Sequence, residues 1–578
     1  MLSKVFCIST FGIKLSYLST VTFATYISSF KFSQVVSAQP VPDVSSPREI
    51  PLSPEPLPEL PNELPVRELP TTPQFVTPED IPANIVVEKF ELVNYSDLLE
   101  EVKLKQVFAP YISRPISLVE LLEVQRLLTE LLVTEGYITT RAVIPPQTIK
   151  DLTVKIQIIP GTIEEIQING LSQLQDNYIR SRITKGTGSP LNHDRLLEVL
   201  QLLQLDPLVA NVSAELSQGI EPNTSLLNVD ITEADTFKPG ITLDNSKVAS
   251  IGTFNREAEL RENNFLGFGD RFIVAYSNSD GSDSLSNLSY RVPLSAANNT
   301  LTFQHNRATN RVVQEPFDAL DIENQTTFYQ LAYTHPLLRT VGQEIRFGVD
   351  LSRQTTATTF LDGEQFPSIV GATNSDGDTI ISTLGLFQDY LKRDRASVFY
   401  LRSSFILGLD ALGSVIDSEQ ADSQFLAWQG YLEYLNSLSD KQTLSFRSNI
   451  QLANDSLVPI KQFAVGGFNS VRGYPQNTLL GDNGIFLSAE LSHTLLDYRD
   501  RAIRLEIIPF IDFGKAWNSE TDIEQERNLV AIGTGLKLSI NDNLTARLDF
   551  GIPLVDLDDA EGDSLQENGI YFSINTRL

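Results

Sequence analysis

From Thr236 onward the chain repeats one pattern, short runs in which apolar and polar residues alternate, with no stretch of helical period between them. A period of two means β-strands whose two faces meet different surroundings. About sixteen such runs can be marked, each near the ten residues or so that a membrane-crossing barrel strand needs. They fall around 237–246, 251–261, 269–279, 284–294, 299–308, 325–335, 343–356, 379–391, 396–407, 423–436, 440–453, 485–495, 502–513, 526–539, 543–553 and 569–578. The connections alternate as well. Leu391–Arg395, Asn436–Lys441 and Ile540–Asn543 are short, whereas Arg307–Asn324, Thr358–Asp378, Leu409–Ser423 and Val555–Asn568 are long and polar. Short turns on one rim and long loops on the other are the habit of a bacterial transmembrane barrel. A soluble sandwich or propeller would not explain that alternation.

Composition fits this and removes several function classes. A hydrophobic share of 41% is that of an average soluble protein and equally that of a barrel, where half of each strand faces a polar lumen. The net charge of −29 argues against nucleic acid as a partner. One cysteine, Cys7, and four scattered histidines, His193, His305, His335 and His493, leave no thiolate metal site and no Cys/His pair, so neither metal nor cofactor is expected. No G-x-x-x-x-G-K-[ST] run exists to hold a nucleotide, and no catalytic constellation stands out.

Residues 1–38 read as an export signal: Lys4 and Lys14, an apolar stretch from Leu15 to Phe30, and small residues at Val36-Ser37-Ala38. Residues 39–84 form a linker whose thirteen prolines between 40 and 82 predict an extended spacer. Between 85 and 162 the order is β-α-α-β-β. Strand Ile85–Leu92 is followed by helical patterns at Tyr95–Phe108 and Ser117–Glu135, then by strands Ile138–Ile144 and Leu152–Ile159. Ser117 with Glu120 makes a capping box at the second helix, and Gly136 stops it. The same order recurs over 163–235: strand Ile163–Ile168, helices Asp176–Ile183 and Asp194–Leu205, strands Ala210–Leu216 and Ser225–Thr232. Barrel and repeat together divide the chain at 236–578.

One loop stands apart. Val465-Gly-Gly-Phe-Asn-Ser-Val-Arg-Gly-Tyr474 places an arginine among glycines between the eleventh and twelfth runs, on the long-loop side. In the next run but one, Leu505, Ile507, Pro509, Ile511 and Phe513 face lipid, while Arg504, Glu506, Phe510, Asp512 and Gly514 face the lumen. A carboxylate aimed into a barrel needs solvent or a partner. Arg472 supplies a guanidinium fork if its loop turns inward, and Gly473 permits the tight tip.

The two small units resemble POTRA modules, three-stranded sheets with two helices and an open edge. Val471-Arg472-Gly473-Tyr474 and Phe510-x-Asp512-x-Gly514 resemble the paired motifs of the superfamily that moves polypeptides through POTRA-plus-barrel proteins. Two POTRA units before about sixteen strands are most similar to its two-partner secretion branch, the hemolysin-activator (ShlB/FhaC-type) transporters. The segment Asn263–Asp270 is also similar to members of that family. The resemblance implies two α+β POTRA domains followed by an antiparallel transmembrane β-barrel in the outer membrane, with the POTRA domains in the periplasm. It implies secretion of an unfolded exoprotein bearing an N-terminal secretion domain, and insertion by the barrel assembly machinery with periplasmic chaperones. It also implies that Arg472 contacts Asp512, with Tyr474, Phe510 and Gly514 shaping the contact. An assembly factor for other barrels, a diffusion porin and a barrel hydrolase are the rivals. Two features depart from the family: the chain ends Thr576-Arg577-Leu578 instead of in Phe, and no plug helix is evident before the proline-rich segment.

Overall fold

The computed structural model describes residues 66–67, 85–361, 363–365, 371–417, 421–498, 502–519, 527–541, 543–556 and 564–577. The export-signal stretch and all of the proline-rich segment except Val66–Arg67 lie outside the described residues.

Sixteen antiparallel strands close on themselves. In chain order they are β1 Phe237–Asp244, β2 Asn255–Glu262, β3 Arg271–Asn278, β4 Ser282–Pro293, β5 Thr300–Arg311, β6 Glu323–Arg339, β7 Gln343–Phe360 and β8 Thr379–Arg393. There follow β9 Ser397–Leu409, β10 Leu426–Ser439, β11 Gln442–Ala453, β12 Asn483–Tyr498, β13 Ile503–Trp517, β14 Arg527–Ile540, β15 Leu544–Pro553 and β16 Ile570–Arg577. A barrel is the one sheet that can lie in lipid, because closure leaves no unpaired edge. Outward positions such as Leu331, Phe405, Ile511 and Ile552 stay exposed for lipid, while their inward neighbours are polar or buried. Among the described residues no helix is long and apolar enough to cross a membrane.

The expected strand positions all carry strands, but several lengths differ from expectation, β12 among them at 16 residues. β5 ends at Arg311, β6 begins at Glu323 and β7 ends at Phe360, so these strands take up parts of the segments expected as the loops 307–324 and 358–378. Their ends, which include Thr309, Thr358 and Thr359, read as loop by polarity. They pair as strand, since β-branched threonine suits a pleated ladder.

The two small domains carry the repeated order. In the first, Lys89–Leu92, Thr153–Ile159 and Arg141–Val143 form the sheet, and helices Glu101–Phe108 and Leu118–Thr134 accompany it. The expected first strand is broken at Glu88, so that Ile85–Val87 pairs instead with Arg114–Ile116. Ser117 and Glu120 complete the capping box, each side chain accepting from the other's backbone N–H. Val124, Leu128 and Leu132 turn one face of the long helix into the core against Val154, Ile156 and Ile158.

In the second domain Val209–Gln218, Thr224–Glu233 and Thr162–Asn169 lie side by side, with helices Asp176–Ile183 and His193–Gln204. Its outer edge is not open throughout. Val66–Arg67 lies parallel to Leu216–Ser217, a correction to the expectation of a free edge and of a linker without strand. Proline density hid that pairing, although the proline-free run Val66–Leu69 has the N–H groups a ladder needs.

At the end of this sheet the Glu233 carboxylate accepts from the N–H groups of Ser172, Gln173 and Leu174 and from the Ser172 hydroxyl. Burial raises this carboxyl, but those hydrogen bonds outweigh it and hold it below the usual range. A depressed folded value means the stabilisation is complete above the unfolded value of about 4.3 and fades as pH falls through the folded one. Glu233→Gln is therefore expected to flatten the acid limb of this domain's stability, read as amide exchange of residues 209–233 below about pH 4.3.

Candidate functional site

The chain between β11 and β12 turns into the lumen. Its base is pinned by Asp482, a buried carboxylate that accepts from the N–H groups of Leu457 and Ser519, 2.9 Å each, and from the Gln462 amide at 3.1 Å. A small hairpin, Phe463–Val465 with Leu479–Gly481, carries the segment inward. Gly466 and Gly467 then take φ of 109° and 98°, and Ser470 accepts from the Gly466 N–H, which rounds the tip.

Apolar contacts seat the loop against the wall. Val465, Val471 and Tyr474 pack with Phe486, Ala516, Leu529 and Ala531 in one buried cluster. Gly514 leaves the room for this: a Cβ there would stand 2.2 Å from Val465 Cγ1 and 2.8 Å from Val471 Cγ2. Gly473, with φ of 101°, brings its backbone against Gly551 of β15. The Tyr571 hydroxyl accepts from the Gly473 N–H at 2.9 Å and donates to the Tyr474 carbonyl at 2.6 Å. The Tyr474 hydroxyl donates to the Val530 carbonyl at 2.9 Å and accepts from the Val555 N–H at 3.1 Å.

Arg472 sits at the centre, 3% exposed, facing a fully buried Asp512. Its Nε and Nη2 donate to the two Asp512 oxygens at 2.8 and 2.9 Å, a bidentate fork, and its own backbone N–H reaches Oδ2 at 3.2 Å. The guanidinium carbon lies 3.4 Å from the centre of the Phe510 ring, so the residue two before the carboxylate supplies a π face. Ser488 donates to Asp512 Oδ1 at 2.7 Å. Each residue singled out in the sequence, Val471, Arg472, Gly473, Tyr474, Phe510, Asp512 and Gly514, thus touches this seat or makes room for it.

Further residues were missed. Arg472 Nη1 also lies 2.6 Å from Glu490 and 3.3 Å from Asp549, and Arg547 bonds both of these carboxylates at 2.9 Å. Two guanidiniums are thereby set among three carboxylates. The inward run Arg547-x-Asp549-x-Gly551 and the inward Glu490 were readable by alternation. Alternation gives the face of a strand and not its height in the barrel, so their convergence on Arg472 was not. The Asn263–Asp270 segment forms a turn closed on itself, with Asp270 accepting from the Leu266 N–H and Asn264 from that of Gly269. Among the described residues no group of His, Cys, Asp or Glu is placed to hold a metal ion.

Comparison with known proteins bears on this arrangement. Residues 223–538 match the family model described as haemolysin secretion/activation protein ShlB/FhaC/HecB, and residues 85–161 match the POTRA domain, ShlB-type. The heme/hemopexin transporter protein HuxB of Haemophilus influenzae is 23% identical over 457 residues, 76% of this chain and 78% of that protein. The outer membrane transporter CdiB of Dickeya dadantii is 22% identical over 69% of this chain and 71% of that protein. The solved structure of CdiB from Escherichia coli superposes with a TM-score of 0.68 at 18% identity, covering 88% of this chain and 93% of that one, which is a likeness of fold.

Proposed function

The chain belongs to the haemolysin secretion/activation family ShlB/FhaC/HecB and is an outer-membrane transporter of the two-partner secretion kind with periplasmic POTRA domains; from that premise we propose how its parts divide the work. The POTRA domains recognise the N-terminal secretion domain of an unfolded exoprotein and take it as an extended chain along sheet edges. The lumen carries the polypeptide, and folding outside makes passage one-way. The Arg472 loop is the closure of that conduit, held by Asp512. The observation that carries this reading is the buried fork itself, which clamps an inward loop to the wall of the lumen. The barrel assembly machinery and periplasmic chaperones bring the chain to the membrane.

An assembly factor shares the fold and is the second reading; a passive porin is the third. Removal of residues 85–235 separates them. The expected outcome is a barrel that still inserts, seen as heat-modifiable gel mobility, with secretion of its cognate exoprotein reduced to background. Undiminished secretion would contradict a recognition role for the POTRA pair. A general loss of other outer-membrane barrels would favour the assembly factor.

A further inference from the structure

The barrel closes along its shortest ladder. β1 and β16 share five register pairs, Gly240–Arg577 to Asp244–Ser573, whereas every other neighbouring pair among the sixteen strands shares seven or more. Beyond Asp244 the pairing is continued by side chains. The Asn245 N–H donates to the Phe572 carbonyl at 3.3 Å. Its carboxamide then stands in for a peptide group, donating to the Ile570 carbonyl and accepting from the Phe572 N–H, both at 2.9 Å.

Gln566, 1% exposed, joins this seam to the loop. Its Nε2 donates to the carbonyls of Asn245 and, at 2.8 Å, Lys247, on the first strand's side of the seam. Its Oε1 accepts from the N–H of Gln476 at 3.2 Å, two residues beyond Tyr474 in the Arg472 loop. From the other side of the seam, Tyr571 of β16 holds Gly473 and Tyr474. One loop therefore grips both strands of the closure, the last directly and the first through a single glutamine.

We propose that the Arg472 loop is the outer fastener of the β1–β16 seam and that Gln566 is the positioning residue that couples them. While Arg472 is seated on Asp512, the Gln476–Gln566 and Tyr571 bonds hold the outer end of a short ladder shut. When the loop leaves, those bonds go with it and the seam frays from its outer rim. This holds whatever the barrel carries, and it adds to a central conduit a closure whose strength depends on the state of the loop.

Hydrogen exchange, read by mass spectrometry on the full chain in detergent micelles, tests it. Gln566→Ala is expected to speed exchange of residues 240–247 and 570–576 by about tenfold, since several hydrogen bonds of the local opening are lost, with β8 and β9 unchanged. Gln566→Glu keeps the acceptor for Gln476 but loses the donor to Asn245 and Lys247. It should loosen the seam while residues 470–477 stay protected. Arg472→Ala should speed both regions, and adding Gln566→Ala to it should change the seam by less than about twofold because the coupling is already broken. Unchanged seam exchange in Gln566→Glu, or single effects that multiply in the double variant, overturns the proposal. Gln566→Glu decides the matter if Gln566→Ala does not insert.

Discussion

Arg472→Ala will leave the barrel in the membrane, raise its permeability to small solutes and cut exoprotein secretion by at least tenfold. The reason is the number of interactions lost with one side chain. The guanidinium makes the Asp512 fork, ion pairs with Glu490 and Asp549, and stacks on Phe510. Removing one partner of a buried pair costs about 3–5 kcal/mol, mostly because the charge left behind has no solvent. Asp512, with no exposed surface, would face Glu490 and Asp549 without its guanidinium, while Arg547 stays bonded to those other two carboxylates. A cost of that size moves the loop's equilibrium by roughly two to four powers of ten. Asp512→Asn should act in the same direction but less, because an amide keeps the shape and some hydrogen bonding. Arg472→Lys should fall between, since an ammonium cannot fork. Planar-bilayer conductance and secretion, measured on the same variants, check all three. Wild-type conductance in Arg472→Ala would remove the charge clamp from the account.

Gly551→Val is expected to open the conduit as fully while leaving every charge in place. A Cβ at Gly551 would stand 2.6 Å from the Gly473 nitrogen and 2.7 Å from the Arg472 carbonyl carbon. Real carbons do not approach so closely, and both neighbours are backbone, so no side chain can swing aside. The loop tip must lift, and with it the fork on Asp512. The phenotype should match Arg472→Ala in conductance and loss of secretion, with normal heat-modifiable mobility. Gly385→Ala serves as the contrast. There the obstacle is the Asp350 carboxyl, a side chain that can move, so conductance should stay near wild type. Closed channels in Gly551→Val would mean that the loop is seated by something other than this approach.

The sequence carried much of this arrangement because its strands face two solvents at once. In β13 every second residue from Leu505 to Phe513 is apolar, which forces Asp512 inward and makes a partner necessary. Arg472 amid glycines was the matching half. Glu490, Asp549, Tyr571, Gly551 and Gln566 meet the loop from strands and a connection well removed in sequence, as far as the 98 residues between Gly473 and Tyr571, brought together only by closure of the barrel. Nothing local marks such residues. Gly551 looks like any strand glycine until a second backbone lies against it, and Gln566 sits in a polar loop among other polar residues. The short pairing of Val66–Arg67 was hidden for a different reason: proline content predicts an extended chain without naming a partner, and an extended chain is what an open sheet edge accepts.

Passage of an unfolded polypeptide through this lumen is checked by photo-crosslinking from the wall to an exoprotein stalled in transit by a folded domain at its C-terminal end. A photoreactive residue in place of Gln304, inward on β5, is compared with one in place of its outward neighbour Phe303. Adducts from position 304 and none from 303 are the predicted result. A stalled exoprotein that reaches the surface without any adduct from position 304 would contradict the account.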